Sequence, residues 1–584
     1  MTRQLLVILG VLLAFTACTK KNELPDNSIQ FALRGNIKGL DPAQSDNEFT
    51  DEVLGNVVEG LLQYHYLKRP LTPVPHLSDG MPTVSKDGLT HTFKIKKGVR
   101  FHDSEAFPDG KGREVVAEDF IYSWKRIADP KTKSDGWWIF DGKIKGLNEW
   151  REKISKGEGT YDSPVEGFSA PDPHTLVIQL TQPYFQLNYV LTMSYSAVVP
   201  KEAVAKYGAE FLNHPVGTGP FVFKSWIRGN KVTLVKNPTW HGEAYPSEGE
   251  PGDKENGFLA DAGKPLPFID TLTFLEIVED QPRWLNFMTG ATDCSLIPKD
   301  NFDSYIEGGK LKPELAGKGA QLQIHDDPEV VYIGFNMDDP LLGKNLNLRR
   351  ALALAYDTNT SLQKFYNNRG IVAHSPIAPG MDGYDSEFKN PNKEFNVAKA
   401  KEFLAKAGYP EGKGLPVLEF SDSGGSTGRQ MAEYLSQQWE KIGVKVNIVQ
   451  NTWPQFTDRI RNKKAQIFGL AWGADYPDPQ NMFQLFFGPN ESPGPNNSNF
   501  KNKEFDALYA QALKTPIGPQ RTVLYKKMRD VFVEHVPWIP TVHRRGYMVS
   551  HGWVHNLKRM KVIHGMFKYL RVDVEKKKEL KAKL

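Results

Sequence analysis

Three stretches of the chain carry residue types that could do chemistry. Gly469 to Pro479 reads GLAWGADYPDP. There an apolar run, Ile467 to Trp472, turns sharply into two carboxylates and two prolines. A strand that ends in a Gly, a Trp and an acidic residue offers open backbone groups, a flat apolar wall and one fixed negative charge. Asp475 is expected to meet the positive end of a ligand, although Asp and Pro also make ordinary solvated turns. Gly424-Gly425-Ser426-Thr427-Gly428 matches the G-x-S-x-G nucleophile elbow, with a strand, Val417 to Phe420, before it and a helix after it. A serine hydrolase using Ser426 is therefore one candidate. The plainer account is that Ser426 or Thr427 caps a helix starting near Arg429. His551 and His555 are four apart and His543 is near, but there is no HExxH and no Cys/His pairing, so structural histidines and no metal site are expected. Arg349 is expected on an exposed helix face in an ion pair rather than on a phosphate. No P-loop follows a strand, so the chain should not hydrolyse ATP, and no cofactor is expected.

Composition narrows the classes. At 584 residues the chain should form three to four domains. A net charge of +4 gives no face-wide basic field, which excludes nucleic acid as the default partner. Met1-Thr2-Arg3 followed by the apolar run Leu5 to Phe15 reads as a secretory leader, too short to span a bilayer stably. Ala17-Cys18 then resembles a bacterial lipoprotein cleavage box, with Phe15 where Leu is usual. That likeness implies cleavage before Cys18, lipid on its thiol and amine, and residues 1–18 as signal peptide. The other cysteine, Cys294, would then have no disulfide partner.

The elements that must position these residues read in order. Ile29 to Leu33 and Thr90 to Lys96 alternate as strands do, and Glu52 to Leu62 and Glu114 to Ile127 have helical spacing. Asn396 precedes a helix over Val397 to Ala407 that Gly408 and Pro410 stop. Arg429 to Ile442, then alternating Val444, Val446 and Ile448, make a helix and strand of an α/β layer. Gly242 to Pro267 has no periodicity and reads as a surface excursion.

THTFKIKKGVRFHD, AEDFIYSWKRIADP, the Gly217-Thr218-Gly219-Pro220-Phe221 turn and VYIGFNM followed by LRRALALAYD occur in one order. In that order they resemble the large solute-binding proteins of peptide and nickel ABC importers, with Ser104 to Arg113 as an inserted loop. The resemblance implies an α/β, two-lobe periplasmic-binding-protein-like fold of type II, with an extra subdomain in lobe 1 and two hinge crossings. Lobe 1 would take 19–52, 172–276 and 541–584, the subdomain 53–171, and lobe 2 277–540. It also implies an exported, lipid-anchored, monomeric receptor, not an enzyme, that closes over a peptide and delivers it to a membrane permease with its ATPase subunits. Carried over from the family's W-x-A-D-Y segment, Asp475 takes the ligand ammonium and Trp472 walls a side-chain pocket. Ala471, Gly473 and Tyr476 complete that side. Ser45, Asp46 and Asn47 face the ligand from the other lobe, and Trp137 and Trp138 bring further aromatic surface or pack in the core. A nickel or metal-chelate receptor and an oligosaccharide receptor of the same fold are the alternatives within the class.

Overall fold

The computed structural model describes residues 25–45 and 47–584. The leader, Cys18 and Asp46 lie outside the described residues. One strand organises the rest. Trp538–Ser550 is thirteen residues long, about 40 Å of extended chain. Its first part pairs antiparallel with Glu329–Phe335, from Gly334 opposite Trp538 to Val331 opposite Val542. Its second part pairs with Gln321–Asp326, from Asp326 opposite Arg545 to Gln321 opposite Ser550, and with Cys294–Leu296. The strand thus belongs to both lobes.

On one side the sheet continues through Glu329–Phe335, Ile467–Gly473, Leu418–Asp422 and Val446–Gln450, the second lobe. On the other it continues through Cys294–Leu296, Ser28–Leu33, Thr271–Glu276, Lys231–Lys236 and Phe221–Ile227, the first lobe. Leu418–Asp422 pairs parallel with Val446–Gln450 across the helix Gly425–Glu440, the βαβ unit the sequence predicts. A separate four-stranded sheet that includes Thr90–Lys94 and Thr175–Gln179 packs on the helix Ala117–Ala128 through Phe120, Trp124 and Ile127. The handover between lobes falls later than position 277. Residues up to Asp326 keep first-lobe neighbours because Cys294 sits opposite both Phe31 and Ser550.

Several expected boundaries move for local reasons. The first helix is Glu48–Leu54, because the Asn47 side chain accepts from the Phe49 and Thr50 amides and starts it early. It stops at Gly55, where a Cβ would lie 2.6 Å from the Gly565 backbone nitrogen. The second starts at Ala117 because Asp119 folds back to accept from the Val116 amide. The helix after the glycine-rich turn starts at Gly425 with Gly424 at its N-cap, so no hydroxyl caps it near Arg429. Arg349 is 3% exposed and makes no ion pair among the described residues; its guanidinium donates to the carbonyls of Gly343, His535 and Val536. The 242–267 segment is tied down by charge: Glu243 to Lys568 at 2.7 Å, Asp253 to Lys558 at 2.7 Å and Asp261 to Arg571 at 2.8 Å.

The turn after Leu40 is held to the Ala117–Ala128 helix by a buried fork: Arg126 Nη1 and Nη2 donate to the two Asp41 oxygens at 3.0 and 2.6 Å. Removing one partner strands the other charge, so Asp41→Ala should cost about 3–5 kcal/mol, read as a lower denaturant midpoint at constant slope. The Asp41→Leu/Arg126→Met double variant should recover most of that loss. Equal losses in the single and double variants would show that the pair does not fasten this turn.

Candidate functional site

The Ile467–Gly473 strand has one full edge and one short one. Glu329–Phe335 pairs with it along its whole length, from Phe335 opposite Ile467 to Glu329 opposite Gly473. Leu418–Asp422 pairs with the other edge only at Ile467 and Phe468. From Gly469 to Gly473 that edge has no strand beside it among the described residues, and every residue there is half-buried. An extended chain could add to it by backbone hydrogen bonding.

The turn that follows separates its two carboxylates by function. Asp478 and Pro479 start a short helix, Pro479–Phe483: the Asp478 side chain accepts from the Gln480 amide at 2.9 Å, and proline suits the first helical position. Asp478 is also paired with the buried Arg521 and accepts from the Tyr525 hydroxyl at 2.6 Å. Its charge is already used. The helix carries Asn481, 0% exposed, back over the strand end. Asn481 Oδ1 accepts from the Trp472 indole at 3.0 Å and from the Asp475 amide at 3.1 Å, while its Nδ2 donates to Asp475 Oδ2 at 2.8 Å. One amide fixes both the aromatic wall and the carboxylate. The sequence carried no signal for Asn481, since its role depends on the helix folding back.

No Lys, Arg or His pairs with Asp475 among the described residues. Its environment is instead apolar or acidic. Burial raises its pKa to about 6; Asn481 works against the rise and the Asp51 carboxylate adds to it. The Tyr64 and Tyr184 phenols nearby are held neutral, by burial first and with Asp475 among the contributing charges. The Asp51 carboxylate that contributes to this rise is on the Glu48–Leu54 helix of lobe 1 and was not foreseen.

The other expected residues fall as follows. Ser45 is fully buried; its hydroxyl donates to Asp51 at 2.8 Å and its carbonyl accepts from Tyr195 at 2.7 Å. Ser45 and Asn47 thus support Asp51 and its helix. Tyr476 is 1% exposed and inserts among lobe 1 aromatics, stacked on Tyr189 at 6.0 Å and 6.3 Å from Trp138. Trp137 lies under the Arg151 guanidinium, 4.8 Å away. Ala471 pairs opposite Val331 in the strand ladder. His551 is stacked between Phe287 and Trp553 and bonded to the Phe287 carbonyl, and His543 is bonded to the Glu329 carbonyl, so these histidines are structural.

The lobes meet at this site. Gln186 donates to Asp478 at 3.3 Å, and Lys561 lies 2.9 Å from Glu48 of lobe 1 and 3.5 Å from Glu329 of lobe 2. Burial opposes the charge on Glu329, but Arg544 and Lys561 outweigh it and hold the pKa at about 2. A cavity of about 500 Å³ lies between the lobes here, lined by Arg34, Arg544, Arg559 and Lys561 together with Glu48 and Glu329. Asp475 does not line it. Lys561 of the cavity lining comes close to the open edge at the end that leads to Asp475: a Cβ on Gly473 would stand 3.4 Å from Lys561 Nζ.

Two lobes sharing a hinge strand, with an open strand edge between them, are the architecture of a solute-binding protein. The model of the bacterial extracellular solute-binding proteins, family 5, matches residues 72–494, and the chain belongs to that family. It is 27% identical over 557 residues to heme-binding protein A of Haemophilus influenzae, covering 91% of this chain and 90% of that protein. It is 25% identical to the periplasmic oligopeptide-binding protein OppA of Escherichia coli, covering 89% and 87%. The fold also matches the solved structure of DppA from Helicobacter pylori in complex with the peptide STSA. There the TM-score is 0.74 at 22% identity, over 94% of this chain and 98% of that one. No helix among the described residues is long and apolar enough to cross a membrane.

Asp475 binds its proton more tightly in the folded protein than in the unfolded chain, so folding takes up a proton between about pH 4 and 6. The stabilisation this proton gives is present at low pH and lost as pH rises through about 6. At neutral pH the ligand-free protein therefore carries an unfavourable charge. Asp475→Asn is expected to melt higher than wild type at about pH 7.5, with the gap closing toward about pH 4. An unchanged or lower melting temperature at neutral pH would mean that a protein cation already pairs with Asp475.

Proposed function

We propose that the chain captures peptides with a free N-terminus in the cleft between its lobes and delivers them to the permease of an ABC importer. The observation that carries this reading is Asp475. It is a half-buried carboxylate that, among the described residues, pairs with no cation, held by Asn481 next to a strand edge that no described strand covers. A peptide supplies what is missing: an ammonium for the carboxylate and a backbone for the edge. The ammonium sits between Asp475 and Asp51, one from each lobe, which ties ligand binding to closure. Side chains lie against Trp472 and in the space toward Lys561. Solved structures of similar fold in complex with the peptide STSA and with Met-Leu support peptides as the solute class.

In this reading the protein is a monomeric receptor without enzymatic activity. It is exported and tethered through lipid on Cys18 to the membrane that holds its permease. A metal-chelate or oligosaccharide ligand needs neither an unpaired carboxylate nor an open strand edge. A hydrolase using Ser426 gains no support from the relatives, which are binding proteins.

The test is titration calorimetry with matched peptides, one with a free amine and one N-acetylated. Leaving the carboxylate unpaired in the closed cleft costs about 2–5 kcal/mol, so acetylation should weaken binding at least roughly 30-fold. Asp475→Asn should lose a similar factor with the free peptide and lose its preference between the two. Equal affinity of wild type for both peptides would refute the assignment.

A further inference from the structure

Away from the cleft, in lobe 1, three side chains from separate segments converge: Glu59, His76 and His241, whose ligand atoms all lie within 4.8 Å of one another. Glu59 follows the first helix and is 2% exposed; His76 follows the Pro73–Pro75 strand and is 7% exposed. His241 stands at the start of the long 242–267 excursion. The contacts use chelating atoms. His76 Nε2 is 3.0 Å from Glu59 Oε1, and His241 Nε2 is 3.0 Å from Glu59 Oε2. A fourth donor is in place: Glu243 Oε1 lies 3.2 Å from His76 Nε2.

Two features distinguish this group from an ordinary ion pair. First, His76 Nε2 is buried and makes no hydrogen bond, although two carboxylate oxygens are within reach. Neither oxygen lies where a ring N–H would make a hydrogen bond to it. Ligands around a tetrahedral metal sit this way: with bonds of about 2.0–2.1 Å, neighbouring donor atoms are roughly 3.3 Å apart. Second, the carboxylates have their own supports. Thr218 Oγ1 and Trp240 Nε1 donate to Glu59 at 2.7 and 3.0 Å. Gln63 Nε2 and Lys568 Nζ donate to Glu243 at 2.8 and 2.7 Å. Metal-binding carboxylates are held by such outer hydrogen bonds.

We propose that Glu59, His76 and His241, with Glu243 as fourth ligand, form a binding site for a divalent transition metal such as zinc. Two imidazoles and two carboxylates suit Zn²⁺ and its neighbours rather than Ca²⁺ or Mg²⁺. All four positions come from protein, so the metal is structural. It pins the start of the 242–267 segment to the body of lobe 1. The metal takes the neutral imidazole, so affinity falls as the pH is lowered.

The experiment uses protein carrying no histidine tag, stripped with chelator, loaded with ZnCl2 and passed over a desalting column before elemental analysis. Wild type should retain one zinc per chain and melt higher in zinc than in EDTA. His76→Gln/His241→Gln should bind at least about a hundredfold more weakly, while Asp475→Asn should keep full stoichiometry. Should the double variant fail to fold, Co²⁺ loading of wild type decides the matter. Visible absorption of four-coordinate strength supports the site, and a spectrum as weak as hexaaqua Co²⁺ overturns it. Wild type that retains no zinc, or a folded double variant that retains as much, overturns it as well.

Discussion

A carboxylate set among Trp472, Tyr64 and Tyr184 and facing a second carboxylate, Asp51, costs free energy whenever it is charged. Asp475 is in that position, and the structure around it is arranged to keep it there. Asn481 grips its amide and one oxygen. Three residues on, Asp478 takes the Arg521 cation and the Tyr525 hydroxyl. The cation that a folding chain would normally place against a half-buried charge is thus spent next door. The cost at Asp475 is offset when a ligand brings its own positive charge.

The same turn couples that charge to lobe closure. Tyr476, directly after Asp475, inserts its ring into the aromatic core of lobe 1, and Gln186 of lobe 1 reaches Asp478. Lys561 spans Glu48 and Glu329 between the lobes. The hinge strand, paired with a different set of strands in each lobe, keeps both halves in one register throughout.

Much of this was legible in the sequence where the signal is local. The apolar run ending in Trp472 and the strand–helix–strand unit after Leu418 follow from spacing, whereas the Asp478-Pro479 turn was read only as a turn and starts a helix. What escaped depends on chain brought from far away. Arg349 looks like a surface helix residue until carbonyls 186 residues distant, at His535, close over it. The lobe handover near Asp326 depends on register with Met548 to Ser550. Asn481 and Asp51 act through positions that no short pattern contains, and His76 and His241 form no motif because separate segments bring them to Glu59.

The central claim, that the ligand supplies the missing cation to Asp475, is tested most directly by counting protons on binding. Near pH 6 the ligand-free carboxyl is half protonated, and a peptide ammonium is fully charged. Calorimetry of one free-amine peptide, repeated in buffers of different ionisation enthalpy, should therefore register release of roughly half a proton per peptide at about pH 6 and close to none at about pH 7 in wild type. The release should vanish in Asp475→Asn. Binding with no proton exchange at either pH would contradict the account.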